Sequence, residues 1–319
     1  MTDVTALGEL LIDFTPSGVS EHGAALYARN AGGAPANVLA MLSRLGRSTQ
    51  LIARVGQDAF GRFLRDTLEQ CGVGCRGIVT GPEATTLAFV QLDKTGERSF
   101  VFHRGADLLL TAEQVPVELI KRSRVFHFGS VSMTGEPGRG ATLFAARTAR
   151  AAGVLVSYDP NYRPFLWDSP KAAAQAIRLA AGMADVIKLS QEELELLFDG
   201  AADDPEQGAR ALLAQGAALV LVTLGSQGAR AYTKNADACA AGFQVDAVDT
   251  TGAGDAFTGA ALAALKDFSR RQIESMSADA LAQLLRRANA CGALTVTAYG
   301  AIPALPTAQA LTRFLQKNG

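Results

Sequence analysis

The 319-residue sequence holds four cysteines, three histidines and one tryptophan, and each scarcity excludes a class of protein. Cys71 and Cys75 bracket a Gly-Val-Gly with no further Cys or His at a zinc-like spacing, and Cys239 and Cys291 stand apart. All four read as reduced, unpaired thiols. His22, His103 and His127 are scattered and form no ligand cluster, so each reads as a surface or satisfied histidine. Charge of one sign is also missing: 30 Lys and Arg stand against 31 Asp and Glu. That balance calls for neither a nucleic-acid nor a membrane partner. No apolar run approaches the ~18 residues of a membrane helix. The opening "MTDVTALGELLIDF" has no basic segment ahead of its apolar one and reads as a first strand, not a signal peptide. The expectation is a cytoplasmic protein without repeats or low-complexity linkers.

Hydrophobic residues make up 48% of the chain and charged residues 19%, enough for a large core. Short, nearly all-apolar runs recur at 51–55, 125–129, 154–159, 185–190 and 218–225, as strands covered on both faces should. Helical patterns such as "AFGRFLRDTLEQCG" and "SPKAAAQAIRLAAGMA" lie between them. Such alternation predicts a mostly parallel sheet between two helical layers. Two stretches break the rhythm, 12–31 and 85–107, the second built as two β-rich runs around the turn "DKTGER". These are expected to pair antiparallel as a small β-sheet lid. The domain expectation is one unit over 1–319.

The densest chemistry lies in "VDTTGAGDAFTGA" (248–260). Gly252 and Gly254 allow a tight turn whose N–H groups point outward, and the helix beginning near Asp255 adds its positive end, so an anion could sit there. A Walker A loop would need Lys and Ser or Thr where this chain has Asp255 and Ala256. A dinucleotide fingerprint would need glycine where it has Phe257. An aspartate beside a bound phosphate is unfavourable unless it acts, and the act that fits is accepting the proton of a hydroxyl attacking the phosphoryl group. The competing reading is an ordinary acidic residue at a helix N-terminus.

Other polar residues gather at strand ends. "AGGAPANVL" (31–39) offers close backbone approach at Gly32 and Gly33, and Asn37 as both donor and acceptor for a polyhydroxylated ligand. Asp13 falls at the end of the first strand, where parallel sheets place ligand groups. "DPNYRPFLW" (159–167) sets Asp159, Asn161 and Arg163 in a proline-stiffened loop, the arginine suited to phosphate, carboxylate or sugar oxygens. "KLSQEELELL" (188–197) puts Glu192 and Glu193 in a helix's first turn, and "VTLGSQGARAY" (222–232) reads either as a nucleotide-facing turn or as a plain hairpin. Each of these has an ordinary structural reading beside the functional one.

Taken together, "GGAPANV", "VTLGSQG" and "DTTGAGDAFTGA", in that order over essentially the whole chain, resemble the PfkB (ribokinase-like) carbohydrate kinase family. "RVGQDAFG", "FHRGAD" and "DPNYRPFLW" are most similar to bacterial fructokinases within it. The resemblance implies a three-layer α/β/α fold with a β-sheet lid and an ATP-dependent, magnesium-dependent sugar kinase. It implies Asp255 as the base and Gly252, Ala253 and Gly254 as the anion hole. Asp13, Gly32, Gly33 and Asn37 would bind sugar hydroxyls, with Arg163 and Arg104 near substrate or phosphate. Thr223, Gly225, Gly228 and Asn289 would hold ATP. Glu193 would reach magnesium through water, with Ser190 standing where the family usually has Asn. A potassium-type site would involve Asp249, Thr251, Thr295, Ala298 and Gly300, although Ala304 lacks the side-chain oxygen that some members supply. The expected reaction is fructose to fructose 6-phosphate. The rivals are 2-keto-3-deoxygluconate kinase, a ribonucleoside kinase and, outside catalysis of this kind, a sugar-binding regulator or a nicotinamide-dependent oxidoreductase. An exposed lid edge suggests a homodimer formed lid to lid.

Overall fold

Apolar strand runs alternating with amphipathic helices leave each strand hydrophobic on both faces, and the chain resolves this by stacking helices on both sides of one large sheet. In a computed structural model, residues 1–92, 98–198 and 204–318 are described. The strands are β1 (Thr2–Leu7), β2 (Leu11–Val19), β3 (Ala25–Gly32), β4 (Thr49–Gly56), β5 (Val73–Gly81), β6 (Leu87–Leu92), β7 (Arg98–His103), β8 (Ser123–Gly129), β9 (Leu155–Asp159), β10 (Val186–Ser190), β11 (Leu219–Thr223), β12 (Gly228–Tyr232) and β13 (Asp237–Ala241). The helices are α1 (Ala34–Arg44), α2 (Ala59–Gln70), α3 (Val117–Lys121), α4 (Gly138–Ala151), α5 (Pro170–Ala181), α6 (Gln191–Leu197), α7 (Pro205–Ala214), α8 (Ala253–Leu265), α9 (Arg270–Glu274), α10 (Ala278–Thr295), α11 (Ala301–Ala304) and α12 (Ala308–Lys317).

The large sheet runs β13-β12-β11-β10-β9-β8-β1-β4-β5. It is parallel from β11 to β5, and only β12 and β13 at one edge run antiparallel. Side chains alternate between two cores. Val4, Val125 and Leu219 face one side with Leu39, Phe257 and Leu285. Phe126, Tyr158 and Val220 face the other with Ala145, Ile177 and Leu212. The expected layers are therefore present. His127 lies in this interior, its Nδ1 3.1 Å from the Ser157 hydroxyl, and burial pushes its pKa down to about 4. It is a satisfied core histidine.

The second sheet is β3-β2-β6-β7, made from the two segments that break the α/β rhythm. The hairpins β2–β3 and β6–β7 are antiparallel, as expected, but β2 joins β6 in parallel. Residues 93–97, most of the expected "DKTGER" turn, lie outside the described residues. The opening stretch also differs from the expectation of a single strand. The chain breaks at Gly8–Leu10 and re-forms as β2, so Asp13 belongs to the smaller sheet and not to the end of the first strand. The strand β5, which carries Cys75, has no continuous apolar run like those of its neighbours, because "VGCRGIVTG" is broken by Gly74, Arg76 and Gly77.

Helices α1 and α8 cross so closely that a Cβ on Gly259 would lie 2.8 Å from the Met41 Cβ and 2.9 Å from the Val38 carbonyl oxygen. Overpacking this crossing should be costly, because one of the obstacles is backbone. Gly259→Val is expected to lower unfolding stability by about 1–3 kcal/mol in urea denaturation. A midpoint equal to that of the unaltered protein would contradict so close a crossing.

Candidate active site

At the start of α8, Gly252 adopts φ 79°, and a Cβ there would press to 2.8 Å from the Ala301 Cβ. Only glycine suits both demands. The Thr250–Gly254 turn thus opens a helix whose N-terminus can meet an anion, although the Ala253 amide donates to the Thr250 carbonyl at 3.3 Å. Asp255, in the first turn, is buried. Asn37 Nδ2 donates to its Oδ2 at 2.8 Å and Asn161 Nδ2 to its Oδ1 at 3.1 Å. Burial raises its pKa to about 6, against the Asn37 hydrogen bond and the charges of Arg163 and Lys188. A carboxylate with that pKa accepts a proton readily near neutrality.

Asp255 borders a cavity of about 530 Å³, closed on one side by the smaller sheet through Leu11, Asp13, Thr15, Val90 and Phe102. Strand periodicity explains this set, since alternate residues of β2 share a face. A Cβ on Gly32 would fall 1.9 Å from Asp13 Oδ2, so glycine is what admits that carboxylate. Gly33, at φ 112°, opens α1 under the same constraint: a Cβ would meet the Glu9 carbonyl oxygen at 2.3 Å. Burial lifts Asp13 to about 7, with Arg163 opposing and Asp255 reinforcing the shift. Glu9 is likewise raised to about 7 by burial. Its Oε1 accepts from the Ala34 amide at 2.9 Å, while Oε2 has no partner in the protein.

The far wall comes from the loop after β9. Asn161 takes φ 47°, its amide donating to Asp159 Oδ1 at 3.2 Å. Arg163 hydrogen-bonds the Asn161 and Tyr162 carbonyls through Nη1 at 3.3 and 3.1 Å, and borders the cavity. Glu193 sits behind this loop, accepting from the Tyr162 amide at 2.7 Å and the Ser190 amide at 2.7 Å. Ser190 Oγ in turn accepts from the Glu193 amide at 3.2 Å, completing a capping box on α6. Neither residue lines this cavity. Lys188, from the apolar core of β10, does. Its Nζ lies 3.4 and 3.3 Å from the two Asp159 oxygens. Burial opposes its charge, but Asp159, Glu193 and Asp255 together hold it above the ordinary lysine range.

A second cavity of about 320 Å³ adjoins the first, and Thr250 and Gly254 border both. Thr223, Gly225, Gly228 and Asn289 all line it, together with Phe243 and Phe257. Gly228 is both hairpin residue and cavity wall: at φ 109° it starts β12, and a Cβ there would strike the Ala240 carbonyl at 2.1 Å. Asn289 Nδ2 spans the Ala240 and Ala241 carbonyls at 3.0 and 3.2 Å. Two cavities that meet only at the glycine turn are the layout required to present two substrates to one transferring group.

Arg104 is not brought to either cavity wall. It forms a buried pair with Asp107, 2.6 Å from Nη2 to Oδ2, and Nη1 donates to Thr134 Oγ1 at 3.0 Å. Among the expected cation residues, Asp249 Oδ1 accepts from the Thr251 amide and hydroxyl at 2.9 and 2.6 Å, and Oδ2 from the Gly300 amide at 2.9 Å. Thr295 Oγ1 donates back to the Cys291 carbonyl within α10, at 2.8 Å. Ala298 follows α10 in the turn that leads to Gly300. No cluster of three or more His, Cys, Asp or Glu able to hold a metal occurs among the described residues. The sequence reading passed over Glu9 and Lys188. The signal was a lone charge inside an apolar run, "GELLI" and "VIKLS".

Residues 1–308 match the pfkB family of carbohydrate kinases. The chain is 45% identical over 322 residues to Fructokinase-1 of Zea mays, covering 98% of each. It superposes on the fructokinase of Xylella fastidiosa solved with bound ATP with a TM-score of 0.92 and 35% identity, covering 100% of this chain and 99% of that one. It superposes likewise on the fructokinase of Vibrio cholerae O395 solved with fructose, ADP and calcium, with a TM-score of 0.86, 36% identity and 98% coverage of both. With whole-length matches of this kind added to a glycine turn, an adjacent buried aspartate and two adjoining cavities, the chain belongs to the pfkB family of carbohydrate kinases.

Proposed function

We propose that the protein transfers the γ-phosphate of ATP to the terminal hydroxyl of fructose, giving fructose 6-phosphate. The observation that carries the choice of a neutral sugar is the charge of the larger cavity. Glu9, Asp13 and Asp255 line it against Arg163 and Lys188, and Lys188 is already paired with Asp159. A carboxylate substrate such as 2-keto-3-deoxygluconate would enter a wall whose three acids outnumber its two cations. A polyol offers hydroxyl donors to those same acids.

In this reading Asp255 removes the proton of the attacking hydroxyl, and Asn37 and Asn161 aim its two oxygens. The turn of Gly252, Ala253 and Gly254 receives the charge of the transferring group. Asp13, Asn37 and the backbone at Gly32 and Gly33 bind the sugar, with Arg163 closing over it. The smaller cavity takes the adenine nucleotide between Thr223, Gly225, Gly228 and Asn289. Magnesium, bound to the phosphates, would neutralise them. Glu193 has both oxygens on backbone amides, leaving each a lone pair for a bridging water. A potassium ion would lie in the turn of Asp249, Thr251, Thr295, Ala298 and Gly300. We further propose that 1–319 form one kinase unit whose smaller sheet is the lid that excludes water. The exposed Tyr27 and Val101 on the lid's outer face suit contact with a second copy. The four free thiols suit a reducing cytoplasm.

A coupled ADP-release assay with fructose, 2-keto-3-deoxygluconate, ribose and adenosine is expected to show selective turnover of fructose, and selective turnover of the keto acid would overturn the choice of substrate. Asp255→Asn should lose at least ~10²-fold in kcat while retaining sugar binding. Because Asp255 must be ionised to take the proton, and an ionised Asp13 holds a sugar hydroxyl more strongly than a protonated one, kcat/KM should rise with pH with its half-maximum near 7, the value set by Asp13. In Asp13→Asn the half-maximum should move nearer 6, set by Asp255 alone. A profile flat from about pH 5 to 8 would remove Asp255 as the base.

A further inference from the structure

The buried lysine in the middle of the large sheet calls for its own account. Lys188 lies on β10 between β9 and β11, where its neighbours Ile187 and Leu189 are ordinary core residues. It points the opposite way from them, toward α8. Burying an ion pair here is no gain over an apolar pair of similar size. Nor does Asp159 need the charge to be satisfied: it also accepts from Thr258 Oγ1 at 3.0 Å and from the Asn161 amide at 3.2 Å. The Lys188–Asp159 contacts, 3.3 and 3.4 Å, are longer than the ~2.8 Å of a tight charge-assisted bond. An ammonium has three donors, and among the described residues Asp159 is the only side chain in ion-pair contact with it. The remaining donors have somewhere to go: a Cβ built on Gly254 would lie 3.3 Å from Nζ. The ammonium therefore stands against the glycine turn from within the larger cavity.

The geometry points to Lys188 as a catalytic residue that touches the phosphoryl group in flight at Gly254. This rests on the phosphotransfer reading above. In the step, the sugar oxygen forms a bond to the γ-phosphorus as the bond from that phosphorus to the ADP oxygen breaks, and the electron pair leaves on ADP. The hydroxyl proton passes to Asp255. Lys188 gives up no proton; it supplies a fixed positive charge to the equatorial oxygens, where the amides of the turn supply only dipoles. Asp159 keeps the lysine aimed, and Thr258, whose single hydroxyl proton is shared between Asp159 Oδ2 and the Gly254 carbonyl at 3.0 and 2.9 Å, ties it to the same helix that carries the turn. Gly254 follows from the same arrangement, since any side chain there would crowd the ammonium.

The test is the paired variant Lys188→Met/Asp159→Asn, which removes both charges and strands neither, assayed with whichever sugar the unaltered protein phosphorylates. Expected are a fall in kcat of at least ~10²-fold and KM for the sugar within about threefold of its original value. Calorimetry should show ADP affinity within the same about threefold range, with binding of ADP–aluminium fluoride in the presence of magnesium and sugar weakened at least ~10-fold. A kcat within about threefold of the unaltered protein would show that the pair is only structural and overturn the proposal. Should the paired variant not fold, Lys188→Arg keeps the charge on Asp159. A structural pair predicts unaltered kcat for it, whereas misplacing the charge predicts a loss of at least ~10-fold. Failure on fructose with turnover of another sugar would count against the substrate proposed above and leave the lysine's role to the same variants. No phosphorylation of any sugar would overturn both.

Discussion

A negative charge held out of water governs the architecture of this site. Asp255 is placed at the positive end of α8, yet burial outweighs that support and raises its pKa to about 6. It keeps its geometry because two amides from distant parts of the chain, Asn37 on α1 and Asn161 after β9, each donate to one of its oxygens. Displacing either α1 or the β9 loop would move a donor away from the carboxylate. The close α1–α8 crossing at Gly259 and the Glu193 clamp on the Tyr162 amide are therefore part of the same construction.

The large sheet makes this possible by being apolar on both faces. Its parallel strands end together, so Asp159, Ser190 and Thr223 emerge on one side, at the C-terminal ends of β9, β10 and β11. The smaller sheet faces that side with the alternate residues of β2, which bring in Asp13. Its other face is aromatic: Phe14 stacks on Phe89 at 4.9 Å and meets Phe60 of α2 edge-on at 5.9 Å. One strand thus carries Asp13 and Thr15 on its inner face and Phe14 on its outer one, which anchors it to the body of the protein while leaving the two polar side chains to the cavity.

Much of this was legible in the residues. Strand–helix alternation gave the layers, and the two rhythm-breaking segments gave the smaller sheet, because period and β-content are local properties. Its parallel β2–β6 joint could not be read, since register between distant segments depends on how the hairpins pack. The glycine turn and Asp255 were readable because a helix start and its dipole are set within a few residues. Arg163, read from a proline-stiffened loop after a strand, borders the larger cavity, whereas Arg104, expected there only from the family resemblance, is paired by the fold with Asp107.

The sequence by itself determined the α/β layering, the glycine turn that opens α8 and the presence of an aspartate beside it. Each follows from the backbone preferences and apolar spacing of neighbouring residues. Tertiary structure decided which charges are stripped of water and what they face. Glu9 and Lys188 look like stray charges in apolar runs, and became cavity walls only when β1, β10 and α8 were assembled. Desolvation and through-space charge sum over neighbours that are far apart in the chain, so no local pattern encodes them.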